Sequence, residues 1–294
     1  MAKKHNTHRV FTHFKTLVKL ASLFEIALIL GACSTPSESL KQLAWTLGSN
    51  EVLLTGKNYQ LRSYTQRGNK ERLHVYLEGD GMPWLTPTLK ASDPTSLDPI
   101  MLRMMMKDSY SSLYLGRPCY NGIQPAKSCS KQLWTHKRYS EVVVSSMTAA
   151  IENYLEHNPH SGVVLIGHSG GGTLAMLIAM KLSTSKTVPV IAVATLAGNL
   201  DIELWAKHHN YTPLAGSMNP MTKPALDPKI AQIHFAGIKD SNIPISLIEG
   251  FVEKQHQATL ISISDFDHHC CWESQWPSLL KKIDQQIKLH LNNQ

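Results

Sequence analysis

Few features of this 294-residue sequence commit it to a cofactor, a metal or a nucleic acid. No glycine-rich turn runs into Gly-Lys-Ser or Gly-Lys-Thr, which excludes a Walker-type phosphate loop. No basic block is interleaved with aromatics, so nothing marks a nucleic-acid surface. There is no internal repeat, no low-complexity block and no clear second domain. Cysteine is scarce, at five residues. Cys119, Cys129, Cys270 and Cys271 fall in no C-x₂₋₄-C spacing and have no H-x₃₋₅-H pair beside them, which argues against zinc. The apolar run Leu20–Leu30 is too short to span a bilayer comfortably. No metal and no cofactor is expected.

What is present is an ordinary globular composition, 43% hydrophobic and 17% charged, long enough for one large α/β domain or two small ones. The net charge of +7 is uneven: residues 1–32 hold five basic side chains against one acid, Glu25. The remainder carries only about +3. The basic stretch Lys3–Lys19 precedes the apolar run, which meets Leu30-Gly-Ala-Cys33. This segment resembles the lipobox of bacterial lipoproteins. The resemblance implies a signal peptide over 1–32, a lipid on Cys33, a tether over 33–50 and a globular domain over 51–294. It also implies membrane attachment through the lipid. Ser34 after the cysteine favours the periplasmic face of the outer membrane.

Strand-like and helix-like segments alternate after the tether. Residues 59–65, 72–77, 112–115, 163–166, 188–196, 230–236 and 259–263 read as strands. Helices are expected near 98–107, 139–157, 171–182, 244–255 and 275–291. Val143, Met147, Ala150, Ile151, Tyr154 and Leu155 share one helical face. Continuous apolar strands between helices imply a mostly parallel sheet covered on both sides. The turn-rich stretch 201–228 is the candidate for a cap or lid.

The chemistry centres on Ser161-Gly-Val-Val-Leu-Ile-Gly-His-Ser-Gly-Gly-Gly-Thr173. An apolar run enters Gly167-His-Ser-Gly-Gly171 and a run of small and apolar residues leaves it. That reads as strand, tight turn, helix, with Ser169 at the apex: a nucleophile elbow. Serine is a weak nucleophile and needs a base, an orienter for the base and donors for the oxyanion. Asp240 follows an apolar strand in Phe235-Ala-Gly-Ile-Lys-Asp240 and is the preferred acid. Asp201, one strand earlier, is its competitor. His268 follows the last strand in Asp265-Phe-Asp-His268-His269 and is the preferred base, with His269 the alternative. The backbone N–H of Gly170 is one expected oxyanion donor. The second is assigned to Asp80 or Gly81 in Glu78-Gly-Asp-Gly81, with the Asp80 carboxylate turned away.

With the parts in this order, residues 60–290 resemble the α/β-hydrolase superfamily, in a lipid-anchored bacterial form. The resemblance rests on Gly167-His-Ser-Gly-Gly171, Asp240, His268 and Glu78-Gly-Asp-Gly81. It implies a mostly parallel sheet of about eight strands flanked by helices, and hydrolysis through an acyl-serine without a metal. The loop Glu-Gly-Asp-Gly departs from the His-Gly-Gly-Gly of many lipases and esterases. The expected function is cleavage of an ester, thioester or related acyl substrate, small or lipid, in the cell envelope. A non-catalytic envelope lipoprotein, or an acyltransferase or peptidase with the same triad, are the alternatives. Trp84, Met104–Met106 and Trp205 are expected in core or lid packing rather than lining a pocket, and His208-His209 in solvent. Cys119 and Cys129 bracket a turn-rich loop and are the preferred disulfide in an exported domain. Cys270 and Cys271 could bridge each other, cross-link elsewhere or stay reduced.

Overall fold

The computed structural model describes residues 34–123, 129–185 and 187–292. Its strands are β1 (Asn50–Thr55), β2 (Gln60–Gln66), β3 (Asn69–Leu77), β4 (Tyr110–Tyr114), β5 (Val163–His168), β6 (Val190–Leu196), β7 (Ala231–Gly237) and β8 (Ala258–Ile263). They form one sheet in the order β1-β2-β4-β3-β5-β6-β7-β8. β2 runs antiparallel to both its neighbours, and every pair from β4 to β8 is parallel.

Alternation along the strands divides the core in two. Leu73, Val75, Leu77, Val163 and Leu165 face one layer. That layer is built by α3 (Glu141–His157), α4 (Gly170–Ser185) and α6 (Ile245–Glu253). Tyr76, Val164, Ile166, Ile233 and Phe235 face the other. It is built by α1 (Pro36–Thr46), α2 (Ile100–Met105) and α7 (Trp272–Asn292). Covering both faces explains why β5 reads as an unbroken apolar run. A short helix, α5 (Ile202–His208), lies between β6 and β7 in the stretch expected as a cap.

Register brings the C-terminal ends of the central strands level. Leu77 pairs with Gly167, His168 with Leu196, Leu196 with Phe235, and Gly237 with Ile263. The loops after β3, β5, β7 and β8 therefore leave the sheet along one edge, where open α/β sheets bind ligands.

The tether expected over 33–50 is corrected for its described part. Pro36–Thr46 is helical, and β1 follows from Asn50. Leu40, Leu43, Ala44 and Leu47 recur at helical spacing, and this stripe packs against Tyr64 and Tyr114. Cys33 and the expected signal peptide lie outside the described residues. Met104 and Met105 are fully buried in the core, as is most of α2.

Cys119 and Cys129 are joined as a disulfide, with Cα atoms 5.7 Å apart. Cys270 and Cys271 are joined to each other. Closing the 119–129 loop restricts the unfolded chain, by about 2–3 kcal/mol in the chain-entropy model. Replacing both Cys119 and Cys129 by serine should lower the unfolding free energy by about that amount in urea. An unchanged midpoint would contradict this.

Candidate active site

The elbow is built by a close crossing. A Cβ on Gly167 would strike the carbonyl of Gly171, and one on Gly171 would strike the carbonyl of Leu77. Only glycines let the start of α4 pass so near β5 and β3. Ser169 turns the chain between them at φ 53°, in the left-handed region. A serine held there costs roughly 1–3 kcal/mol, which the sheet and helix on either side must override. Ser169 N–H donates to the carbonyl of Leu196 at 3.0 Å. Its own carbonyl accepts from the amides of Gly172 and Asn199, at 2.9 and 3.0 Å. The backbone is tied, and the side chain is left at the edge of the sheet.

Asp240 and His268 meet it from the loops after β7 and β8. His268 Nε2 stands 3.0 Å from Ser169 Oγ, and His268 Nδ1 stands 2.8 Å from Asp240 Oδ2. The other oxygen of Asp240 accepts the amides of Asn242 and Ile243, both at 2.8 Å. These two amides and the His268 ring fix the orientation of the buried Asp240 carboxyl group. A proton on His268 Nδ1 is then donated to Asp240, leaving Nε2 to accept from Ser169.

The rivals lie elsewhere in the chemistry. Asp201 caps α5, its Oδ1 accepting the amides of Glu203 and Leu204 and the side chain of Asn219. His269 is exposed at the cleft rim, its amide donating to Asp267 at 2.8 Å. Asp267 also accepts the amide of Cys270 at 2.7 Å, which pins the turn after His268. Trp272 Nε1 donates to the carbonyls of Asp267 and His268, pinning it from beneath.

His168, inside the elbow motif, is buried with its ring 5.0 Å from that of His268. Its Nε2 donates to the His268 carbonyl at 2.8 Å. Burial first, and the neighbouring His268 second, push its pKa down to about 3. It therefore stays neutral and does not oppose a proton on His268.

The loop after β3 carries two acids with opposite fates. The Asp80 carboxylate is bonded by Arg117, Arg138 and Tyr139. Burial alone would raise its pKa, but the two guanidinium charges and the Tyr139 hydroxyl hold it at about 2. Among the described residues no arginine or lysine pairs with the Glu78 carboxylate, though Arg117 and Arg103 lie near enough to lower its pKa somewhat. Burial raises it to about 7 against the pull of the Gly79 and Met101 amides that it accepts. Gly79 N–H is thus occupied, and Met82 N–H donates to the carbonyl of Pro94. Among the described residues the amides of Asp80 and Gly81 have no acceptor.

Ser169 and His268 open into a cleft of about 440 Å³. Met82, Pro83, Leu97, Ile100 and Trp205 supply its apolar wall. Trp205 therefore lines the site, which sequence reading placed in core or lid packing; its indole N–H donates to the Asn242 side chain, and its ring meets those of His209 and Tyr211 edge-on. His208 is exposed as expected, while His209 is half-buried, 2.8 Å from the Asn242 carbonyl. Trp84 stays off the cleft, bridging to Lys90. Sequence reading missed Arg117, Arg138, Tyr120 and Tyr139 altogether, because nothing local marks an arginine that is to be buried.

The strand order, the elbow at its centre and the ordered acid and histidine decide the architecture. The chain has the α/β-hydrolase fold. Solved structures share it at low identity. An esterase of Pyrococcus furiosus aligns with a TM-score of 0.55 and 13% identity, over 83% of this chain and 94% of its own. A bacterial membrane phospholipase A aligns with a TM-score of 0.56 and 14% identity, over 95% and 99%. An acylaminoacyl peptidase of Pyrococcus horikoshii aligns with a TM-score of 0.55 and 12% identity, over 82% of this chain and 42% of its own. The model of the lipase (class 3) family matches residues 107–207, a stretch that holds Ser169 and ends before Asp240. No curated protein matches the sequence. The solved structures share the fold, and the lipase (class 3) match, which includes Ser169, supports a hydrolase of the esterase or lipase type.

The two loop acids set opposite pH dependences. Glu78 titrates near 4.5 unfolded and near 7 folded, so the folded chain holds an extra proton between those values. Stability therefore falls as pH rises through that window. His168 and His234, both pushed down to about 3 mainly by burial, act oppositely over part of it. Comparison with Glu78→Gln isolates the glutamate. The variant should gain up to about 3 kcal/mol relative to the parent between those pH values, and nothing further above them. Urea denaturation on both sides of the window measures this; two parallel curves would contradict it.

Proposed function

We propose that this protein is a serine hydrolase that cleaves an ester, thioester or related acyl substrate through an acyl-serine intermediate, anchored by lipid in the cell envelope. The observation that carries the reading is the unbroken chain Ser169 Oγ, His268, Asp240 at the mouth of the cleft. The apolar wall of Met82, Leu97, Ile100 and Trp205 suits an acyl chain.

His268 Nε2 takes the proton of Ser169 as Oγ bonds to the substrate carbonyl carbon. The carbonyl oxygen becomes an oxyanion and lies against the amide of Gly170 and one from the Asp80–Gly81 loop. Asp240 stabilises the imidazolium without taking its proton. The oxyanion collapses, the carbonyl re-forms, and the bond to the leaving group breaks. His268 gives the leaving group its proton. Water then repeats the sequence on the acyl-serine, losing its proton to His268, and frees the acid. Neutral His168 lets the charge on His268 appear and vanish without repulsion from behind. The acyl-transfer steps need no metal. The same intermediate would serve transfer to an acceptor other than water.

The envelope placement follows from Leu30-Gly-Ala-Cys33 and Ser34, which favour a lipid on Cys33 and the periplasmic face of the outer membrane. The likeness to a membrane phospholipase A accords with a lipid acyl substrate.

Three experiments test this. A fluorophosphonate should label the protein at Ser169, and Ser169→Ala should abolish labelling and turnover. His268→Ala should cost roughly 10³-fold or more in kcat, while His269→Ala changes it only a few-fold. Equal modest losses in both would contradict the assignment. In a Gram-negative host, Cys33→Ala should move the protein from the membrane to the soluble fraction and end incorporation of a palmitate analogue. Continued labelling of that variant would refute the anchor.

A further inference from the structure

The loop that follows β3 is held by an unusual group. Arg117 and Arg138 both have side chains less than a tenth exposed, and both bond the single carboxylate of Asp80, at 3.0 and 2.8 Å. The Tyr139 hydroxyl donates to the same carboxylate at 2.6 Å. Arg117 also donates to the carbonyl of Glu78 at 2.6 Å, and the Tyr120 hydroxyl to the carbonyl of Asp80 at 3.1 Å. Burying two guanidiniums beside one carboxylate is a costly way to gain stability. It is an effective way to hold a short segment in one orientation.

The orientation follows from peptide geometry. The bond between Asp80 and Gly81 is trans, so its C=O and N–H point in opposite directions. Tyr120 and Arg117 line a second, smaller cavity, which borders the cleft at Glu78, Gly79 and Ser96, and neither lines the cleft itself. Fixing the Asp80 carbonyl toward Tyr120 turns the Gly81 N–H the other way, to the side that lines the cleft with Ser169. The Asp80 carboxylate meanwhile lies against the first residue of α4: a Cβ on Gly170 would land on that carboxylate and on the Tyr139 hydroxyl. A negative charge there also suits the positive end of this 16-residue helix. One carboxylate thus braces both the loop and the residue whose N–H is the other oxyanion donor.

We propose that Asp80, Arg117, Tyr120 and Tyr139 form a latch that aims the Gly81 amide at the oxyanion and sets its spacing from the Gly170 amide. These are positioning residues, acting through backbone they hold. The proposal rests on Ser169 being the nucleophile, and it selects Gly81 over Asp80 as the second donor. Arg138, which bonds the same carboxylate and also lines the cleft, closes the latch on the open side.

Tyr120→Phe and Tyr139→Phe each delete one hydroxyl and leave the ring, so both keep the packing. With a p-nitrophenyl acyl ester, and kcat expressed per site titrated with fluorophosphonate, each should lower kcat roughly 10-fold or more with KM within a few-fold. Affinity for an alkyl boronic acid, which presents a tetrahedral oxyanion, should fall by a similar factor. Affinity for the product acid should not. Arg117→Lys, too short to bond both carbonyl and carboxylate, should behave likewise, and Asp80→Asn should lose more. Thermal melts separate this from simple destabilisation. Unchanged kcat per titrated site in both phenylalanine variants, whatever their melting temperature, would overturn the latch. If activity survives Ser169→Ala, the reading of the nucleophile fails instead, and the latch with it.

Discussion

The crossing of β5, β3 and the start of α4 is the constraint from which the site follows. Gly171 rests on the carbonyl of Leu77, and Gly167 on that of Gly171, at distances that no side chain allows. Ser169 must then reverse the chain in a single left-handed residue. Its Oγ is presented by a turn that has almost no freedom, anchored by backbone hydrogen bonds to Leu196, Gly172 and Asn199. A longer turn would relieve the strain and release the serine. Preorganisation here is steric before it is electrostatic.

Electrostatics then assign roles to groups that look alike. Glu78 and Asp80 are two residues apart on one loop. Burial pushes the first up to about 7, while two arginines bonded to its carboxylate hold the second at about 2. His168 and His268 are neighbours in space, yet only His268 has a carboxylate at its Nδ1. His168 has only a carbonyl to bond and stays neutral. The site holds a chargeable imidazole among neighbours whose charge states are set by what they touch.

Much of this was legible in order along the chain. The apolar run into Gly167-His-Ser-Gly-Gly171 reports its own strand, turn and helix, because hydrophobic pattern and glycine sterics are local. Asp240 and His268 stand just beyond strands that are themselves local patterns. Less legible was α1, where a polar beginning, Ser34-Thr-Pro-Ser-Glu-Ser39, hid the stripe of Leu40, Leu43, Ala44 and Leu47. Trp205 reads as packing in sequence and proves to line the cleft, since a cap residue's direction depends on what lies beneath it.

By itself the sequence determined the strand and helix succession, the identity of the elbow and the residue types that could serve it. Those depend on period, sterics and short spacing. Only the tertiary structure placed His268, and not His269, between Ser169 and Asp240, and set Asp201 at a helix cap instead. The adjacent His268 and His269 differ by which way one peptide turns. It alone brought Arg117, Arg138, Tyr120 and Tyr139 onto Asp80, from 37 to 59 residues away. A buried charge has no local signature: what makes an arginine tolerable in the core is a partner that arrives from another part of the chain.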